Sequence, residues 1–377
     1  MVFNGWLKTA AACVAVAATV AGCGSSDSSS GGATTSKSAA SGSGTNTGAA
    51  KAALAKYSGK PTAFPVDAPL KQRPTGKTFA YLQCSTPVCG LFAQIIAPTQ
   101  KLLGYKLKVV KAGPSANEAQ TAMNSIVSLK PDGLILPAAD PNQFLRQLQQ
   151  LQKAGVPISA DGIVDPDKYG LKVDFINNET QELGGKLMAD WAVAEGGGEV
   201  VFYGVPELSF SPLVQNAFDK EMAAMCSSCK VRHVDIPVGA IGKNAPSLVV
   251  SDLQSHPNTK AAAFATGEAG TGLPAALKAA QLKVKLIGGG PPPAVLGYIK
   301  QGQWDAAIGV DIYTMIWAQV DALARMAAGE PVTAGESRGL PPVQVLTKSD
   351  ITFDPSKGWQ GYPDFAQRFA KLWGAGQ

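Results

Sequence analysis

Short apolar runs alternate with stretches of helical periodicity from residue 78 to residue 310. The apolar runs have the length of buried strands, and between them apolar residues recur every three or four positions. The predicted strands cover residues 78–82, 106–110, 132–137, 156–161, 171–176, 199–204, 231–236, 261–266, 284–288 and 306–310. Strands that alternate with helices predict a parallel α/β architecture. A five-strand unit occurs roughly twice, at 78–176 and at 199–310, so we expect two similar lobes.

The loop of residues 83–90 follows the first predicted strand and precedes a predicted helix that ends near Gly104. In an open parallel sheet, ligands bind outside the carboxyl ends of the strands. The loop therefore marks the edge at which we expect a binding site. Two later helix starts are also well marked, at Asp140, which precedes a proline, and at Asn178.

The start of the chain has the pattern of a secretory signal peptide. Lys8 is followed by an apolar run over residues 10–21, which is too short to anchor a mature protein. The run leads into Thr-Val-Ala-Gly-Cys, which resembles the lipobox of bacterial lipoproteins. This resemblance implies that residues 1–22 are removed and that Cys23 is lipidated. The alternative is an ordinary signal peptide with an incidental cysteine.

Two segments of biased composition separate the signal from the first predicted strand. Residues 23–50 are rich in Ser, Gly, Thr and Ala, and such a stretch buries too little apolar surface to fold. Residues 51–77 form an arm that is interrupted by prolines. We therefore expect a folded body outside the cell membrane, attached to its outer face through a flexible tether.

Composition restricts the class of protein. The chain has 377 residues, of which 45% are hydrophobic and 16% are charged. About 300 residues remain once the ends are set aside, which is roughly two domains. The net charge is +5 and the sequence contains no basic block, so we expect no nucleic-acid partner.

Six cysteines are present, at positions 13, 23, 84, 89, 226 and 229. Setting aside the signal peptide and the lipidation site leaves four in an exported protein. Three pairings are possible, and we predict the local ones, Cys84 with Cys89 and Cys226 with Cys229. The second pair also matches the redox C-x-x-C pattern. A reactive thiolate is favoured at a helix N-terminus, however, and this pair follows a predicted helix.

Enzyme signatures are absent from the sequence. The two histidines, His233 and His256, have no partner pattern near them. There is no G-x-S-x-G motif and no P-loop, and the glycine runs at 196–198 and 288–290 lack the spacing of a dinucleotide site. We therefore expect no catalytic residues, cofactor or metal.

Several segments, taken in order, resemble the type I periplasmic binding proteins of the ribose-like sugar-binding branch. They are Lys-Pro-Asp-Gly-Leu-Ile-Leu-Pro at 130–137, Ala-Gly-Val-Pro-Ile at 154–158, Asn-Asn-Glu at 177–179, Leu-Gly-Gly-Lys at 183–186 and Ala-Phe-Ala-Thr at 263–266. Members of this family are the solute receptors of ABC importers. The resemblance implies a monomer that holds a small molecule between two lobes and presents it to an ABC permease. A receptor that presents its bound state to a membrane signalling protein is the alternative.

The resemblance also implies how the lobes are built. The expected fold is α/β, with two Rossmann-like parallel-sheet lobes joined by a three-crossover hinge near 176–178, Asp311 and Leu340. The expected boundaries are 78–176 plus 312–339 for lobe 1, 178–310 plus 340–350 for lobe 2, and 351–377 for a C-terminal tail. Closure of the lobes around the ligand is the expected motion.

The expected ligand contacts combine family positions with polar residues at strand ends. Asp161 matches a ligand-binding aspartate of the family, whereas Val88 and Cys89 stand at its aromatic stacking positions and Pro212 replaces its usual arginine. A desolvated sugar hydroxyl without a partner costs roughly 1–3 kcal/mol. These departures therefore favour a less polar or differently shaped ligand, although sugar is the choice that the family favours. The candidate contacts are Gln83, Ser85, Thr86, Cys89, Asp140, Asp161, Ser209, Phe210, Glu268, Gly290 and Asp311.

Two of these carboxylates have structural explanations as well. Asp140 is better explained as a helix cap than as a ligand contact. Glu268 is equally explained as the start of the helix that follows it, where a negative charge suits the helix dipole.

Overall fold

The computed structural model describes residues 44–339 and 342–375, and two β-sheets organise this part of the chain. The first sheet is parallel, with the strand order β2-β1-β3-β4-β5. Its strands are β1 (Thr78–Gln83), β2 (Lys106–Lys111), β3 (Gly133–Leu136), β4 (Ile158–Asp161) and β5 (Asp174–Phe175). Phe79 and Tyr81 pack on one face and Leu82 on the other, so the sheet has a core on both sides.

The second sheet has the strand order β11-β10-β9-β8-β6-β7. Its strands are β6 (Glu199–Gly204), β7 (Lys230–Asp235), β8 (Thr259–Phe264), β9 (Lys285–Gly289), β10 (Ala306–Val310) and β11 (Val343–Thr347). Neighbouring strands are parallel except β10 and β11, which run antiparallel. Val201 and Phe202 lie in different cores, so this sheet is also covered on both faces.

Helices pack against both faces of each sheet. They are α1 (Thr47–Ala55), α2 (Pro87–Leu103), α3 (Ala116–Leu129), α4 (Leu145–Lys153), α5 (Asn178–Ala194), α6 (Ser211–Met225), α7 (Ala245–Ser255), α8 (Leu273–Ala279), α9 (Pro293–Gln301), α10 (Ile312–Ala327), α11 (Ala334–Arg338) and α12 (Phe365–Leu372). In the first lobe, α2, α10 and α12 cover one face and α3 and α4 the other. In the second lobe, α5 and α6 cover one face and α7, α8 and α9 the other.

The predicted α/β architecture is confirmed, since every predicted strand run contains a strand. The largest difference is in the run 171–176, of which only Asp174–Phe175 is a strand. Asp140 caps as predicted, with its carboxylate accepting a hydrogen bond of 2.9 Å from the backbone N–H of Asn142. The turn that it opens is a 3₁₀ helix, Pro141–Phe144, which leads into α4.

The start of α5 differs from the prediction by one residue. Asn177 is the N-cap, because its side-chain oxygen accepts a hydrogen bond of 3.1 Å from the backbone N–H of Thr180. The Asn178 side chain instead donates to the carboxylate of Asp165 at 2.7 Å. Both asparagines suit a cap by sequence, and tertiary contacts decide between them.

The chain crosses between the lobes at two of the predicted hinge positions, since Ile176 joins β5 to α5 and Asp311 joins β10 to α10. It crosses again after α11 and before β11, and the third predicted position, near Leu340, lies outside the described residues. Ile176 has a φ of 54°, a left-handed conformation that is strained for a β-branched residue. The packed structure around the crossover holds this conformation in place.

The arm and the tail add two further connections between the lobes. Helix α1 begins at Thr47, inside the segment that was expected not to fold, and packs in the core of the second lobe through Ala50, whereas Val66 of the arm lies in the core of the first. After β11, Trp359 lies in the core of the second lobe and Tyr362 in that of the first. Residues that were expected to form a C-terminal tail thus contribute α12 to the first lobe.

Asp311 ties these connections together at the second crossover. The side chain is fully buried and accepts hydrogen bonds from the backbone N–H and hydroxyl of Thr314, at 3.0 and 2.7 Å. The same carboxylate accepts from the backbone N–H groups of Gly361 and Tyr362, at 2.9 and 3.2 Å. The Tyr362 hydroxyl in turn donates to the carbonyl of Ala63 in the arm. One carboxylate therefore joins the crossover to the tail, and the tail to the arm.

Both predicted disulfides are present in the structure, Cys84 with Cys89 and Cys226 with Cys229. The first closes the loop that leads into α2, and the second lies beside the point where the described chain begins, since Asn46 donates to the carbonyl of Met225 at 2.8 Å. Across residues 44–339 and 342–375, no helix is both long and apolar enough to cross a bilayer.

Candidate functional site

A cavity of about 150 Å³ lies between the two lobes, where strands of both sheets end. The first lobe contributes the N-terminal part of α2 and the segments that follow β3 and β4. The second lobe contributes one face of α5, the start of α6 and the segments that follow β6, β8 and β9. Ile176 and Ile312, beside the first two crossovers, complete the wall. The cavity occupies the edge at which parallel sheets bind ligands.

The wall of the cavity is mainly apolar. Its aliphatic and aromatic side chains are Val88, Phe92, Ile176, Met188, Leu208, Phe210, Val214, Ile308, Val310, Ile312 and Val343. Of the described residues that line it, none is Lys, Arg or His. The wall is therefore poor in partners for a ring of hydroxyl groups and offers no cation to a carboxylate or phosphate.

Asp161 ends β4 with its side chain in the cavity wall, and the residue is 2% exposed. Its carboxylate accepts a hydrogen bond of 3.1 Å from the side-chain amide of Gln319, on α10, and another from the backbone N–H of Ala138. Burial outweighs these two bonds and raises the pKa of Asp161 to about 7. This carboxyl therefore titrates close to neutral pH.

A second acidic side chain lies on the neighbouring strand, close enough for its pKa to respond to the charge of Asp161. Asp174, on β5, accepts a hydrogen bond of 3.1 Å from the backbone N–H of Ile163. Burial, together with the negative charge of Asp161, raises the pKa of Asp174 to about 8. The two carboxyl groups resist being ionised at the same time, because like charges repel strongly in a desolvated setting.

Glu268 connects the lobes across the cavity. It lies in the 3₁₀ turn Gly267–Gly270 of the second lobe, and its carboxylate accepts a hydrogen bond of 2.7 Å from the backbone N–H of Val88. Val88 lies in the first turn of α2, where backbone N–H groups lack partners within the helix. Burial raises the pKa of Glu268 to about 7, and the hydrogen bonds from Val88 and Thr86 only partly offset that effect.

The structure brings six of the candidate residues to the cavity and places five elsewhere. The wall includes Thr86, Cys89, Asp161, Phe210, Glu268 and Gly290. The residues outside the wall are Gln83, Ser85, Asp140, Ser209 and Asp311. Of these, Asp140 and Asp311 use their carboxylates as helix caps. Two of the five candidates outside the wall therefore have a structural role in place of the expected ligand contact.

Sequence reasoning missed most of the apolar wall. The contribution of α5 carries a readable signal, since Gln181, Gly184 and Met188 follow one helical face at spacings of three and four. The hinge residues Ile176 and Ile312 carry no such signal. Their place in the wall depends on how the crossovers bring the two lobes together.

The model of the family described as "Periplasmic binding protein domain" matches residues 92–331. The chain belongs to the periplasmic binding protein family. The matched span includes most of both lobes, and the type I assignment predicted from the sequence is confirmed. This is a family of solute-binding proteins and not of enzymes, so the cavity is the candidate site for a bound solute. None of the curated proteins compared with this chain matches it significantly.

Solved structures of solute-binding proteins have the same fold. One, from Actinobacillus succinogenes with bound D-allose, is 21% identical, with a TM-score of 0.61 over 73% of this chain and 99% of that one. A carbohydrate transporter protein from Acidothermus cellulolyticus, in complex with myo-inositol, is 17% identical, with a TM-score of 0.64 over 78% and 99%. A third, from Agrobacterium vitis with bound alpha-D-tagatopyranose, is 17% identical, with a TM-score of 0.64 over 75% and 99%. At these identities the structural similarity establishes the fold of this periplasmic binding protein and not its ligand.

Proposed function

We propose that this protein captures a small molecule between its two lobes, outside the cell membrane, and delivers it as a monomer to the permease of an ABC importer. The observation that carries the proposal is the cavity of about 150 Å³ between the lobes of a chain that belongs to the periplasmic binding protein family. Family membership supports capture for transport. The contact of Glu268 with Val88 supports closure, because it can form only when the lobes are together.

The composition of the wall bears on the class of ligand. Neighbouring structures of this fold hold D-allose, myo-inositol and alpha-D-tagatopyranose. A sugar is therefore one candidate for this chain, and the apolar wall favours a less polar molecule. Candidate contacts are Asp161, Glu268 and Phe210, together with the loop that the Cys84–Cys89 disulfide closes.

A thermal-shift screen tests capture. Purified protein is heated with sugars, aromatic acids, amines and nucleosides, and we expect one class to raise the unfolding midpoint, because a ligand that binds only the folded state stabilises it. The same compound should reduce the radius of gyration in solution scattering as the lobes close. A midpoint that no compound shifts, with a radius that never changes, would contradict capture between closing lobes.

The proposed lipid anchor is tested separately, because Cys23 lies outside the described residues. The lipobox-like Thr-Val-Ala-Gly-Cys supports acylation of Cys23. We expect Cys23→Ala to move the protein from the membrane fraction to the soluble fraction or the medium. A lipid anchor is ruled out if the variant and the wild type fractionate alike in cells that process other lipoproteins.

A further inference from the structure

The two carboxyl groups in the cavity wall come from opposite lobes. Asp161 lies at the end of β4 and is 2% exposed, and Glu268 lies after β8 and is 6% exposed. Each is held by neutral donors alone, an amide and a backbone N–H for Asp161, a backbone N–H and a hydroxyl for Glu268. Within the described residues, neither forms a salt bridge, and no basic side chain lines the wall.

Two desolvated carboxyl groups without a cation are a costly arrangement. A buried carboxylate is stabilised mainly by a paired positive charge, and without one its ionised form is disfavoured. Elsewhere in this protein the buried Asp321 has such a partner in Arg325, at 2.5 Å, whereas the buried Asp311 is held by four neutral donors instead. The cavity has no counterpart of this arginine. A positively charged ligand would provide the missing counter-charge for the two carboxylates.

The rest of the wall indicates the polarity of the part of the ligand that does not contact the carboxyl groups. The phenyl rings of Phe92 and Phe210 and the side chains of Met188 and Val214 present an apolar surface. A cavity of about 150 Å³ with an aliphatic and aromatic lining is known to hold a benzene ring in another protein. Aromatic faces also attract a cation directly. The wall therefore suits a compact apolar body that carries a charged nitrogen.

We propose, on the basis of the capture function above, that the ligand is an organic ammonium ion, a protonated amine on a compact apolar body. Its nitrogen pairs with Asp161 and Glu268, and its body contacts the apolar wall. Anions are excluded, because they would face two carboxyl groups and no cation. Polyols are disfavoured, because most of their hydroxyl groups would lose water without gaining a partner.

Calorimetric titration at pH 7.5 with four kinds of probe tests this assignment. The amines are benzylamine, 2-phenylethylamine and cyclohexylmethylamine, and the others are the neutral 2-phenylethanol, the anion phenylacetate and the sugar D-allose. We expect at least one amine to bind about ten- to hundred-fold more tightly than 2-phenylethanol, the difference that charge-assisted hydrogen bonds supply. Phenylacetate should not bind measurably.

Asp161→Asn and Glu268→Gln test the role of the carboxyl groups. Each substitution keeps the shape and removes the charge, so each should weaken amine binding about ten-fold or more. Each should also bring the affinities for the amine and for 2-phenylethanol closer together. Asp140→Asn is the matched control, because it neutralises a carboxylate outside the wall and asparagine caps a helix as well as aspartate does.

The outcomes separate this assignment from the capture function. Binding of D-allose with no binding of any amine overturns the ammonium assignment and leaves capture intact. An alcohol that binds as tightly as the amine also overturns it, because the carboxyl groups would then act as neutral donors. Failure of all three amines overturns it as well, while failure of every compound in the thermal-shift screen counts against capture itself.

Discussion

Raising the pH from about 5 to about 8 should lower the free energy of unfolding of the ligand-free protein by several kcal/mol, because buried carboxyl groups resist ionisation in the folded state. Burial raises the pKa of Asp161 to about 7, that of Asp174 to about 8 and that of Glu268 to about 7. In the unfolded chain the same groups ionise near pH 4.

The direction follows from proton binding. Between roughly pH 4 and pH 8 the folded protein holds protons on these groups that the unfolded chain has released. Their stabilising contribution is therefore complete below the unfolded-state pKa and is lost as the pH rises through the folded-state values. Each pKa unit corresponds to about 1.4 kcal/mol, so one buried group with a pKa near 7 costs roughly 2–3 kcal/mol over this range.

Urea unfolding at the two pH values measures this effect. Asp161→Asn and Asp174→Asn should each flatten the dependence, because asparagine cannot ionise. Asp140→Asn is the matched substitution outside the cavity wall, since this carboxylate caps a turn at a partly exposed position. A free energy of unfolding that is constant or rises between pH 5 and pH 8 would show that these carboxyl groups are not buried as described.

The two-lobed fold could be predicted from the sequence because its signals are local. Apolar runs such as residues 199–204 are buried on both faces of a parallel sheet, and this burial imposes a continuous apolar pattern. Asp161 could be placed at the ligand edge for the same reason, since it ends a strand of that kind. Both inferences need only the strand that contains the residue.

Contacts that depend on distant segments could not be predicted. Glu268 bonds to Val88, which is 180 positions away, so its role depends on how the lobes meet. Asp311 was a candidate ligand contact at the second crossover, yet two backbone N–H groups from the tail use its carboxylate. The sequence shows that such residues are polar, but it does not show which groups form hydrogen bonds with them.

The tail shows the same limit. Phe365, Phe369 and Trp373 follow a helical spacing of four, which identifies an amphipathic helix without naming the surface that it covers. In the structure Trp373 stacks on Trp317 of α10, with ring centroids 5.2 Å apart, and its indole N–H donates to the buried Asp321. The periodicity is thus a signal for a helix that the expectation of a C-terminal tail overlooked, and it leaves the packing of that helix open.

Substituting Gly184 by leucine should abolish ligand binding while the protein stays folded. Gly184 lies on the face of α5 that lines the cavity, and a Cβ at this position would meet no atom within 4 Å. The leucine side chain therefore extends into the space that the ligand needs. Leucine is also a better helix former than glycine, by somewhat less than about 1 kcal/mol, so α5 should not be weakened.

Gly297→Leu is the matched control. Gly297 is also a helical glycine, in α9, and a Cβ there would likewise meet no atom within 4 Å. It does not line the cavity, so its substitution changes helix propensity and local surface without occupying the site.

Calorimetric titration of both variants with the strongest compound from the thermal-shift screen tests capture between the lobes most directly. We expect Gly297→Leu to bind as the wild type does and Gly184→Leu to bind at least about a hundred-fold more weakly, a loss of about 2.7 kcal/mol. Equal binding by both variants would place the ligand outside the cavity and contradict capture between the lobes.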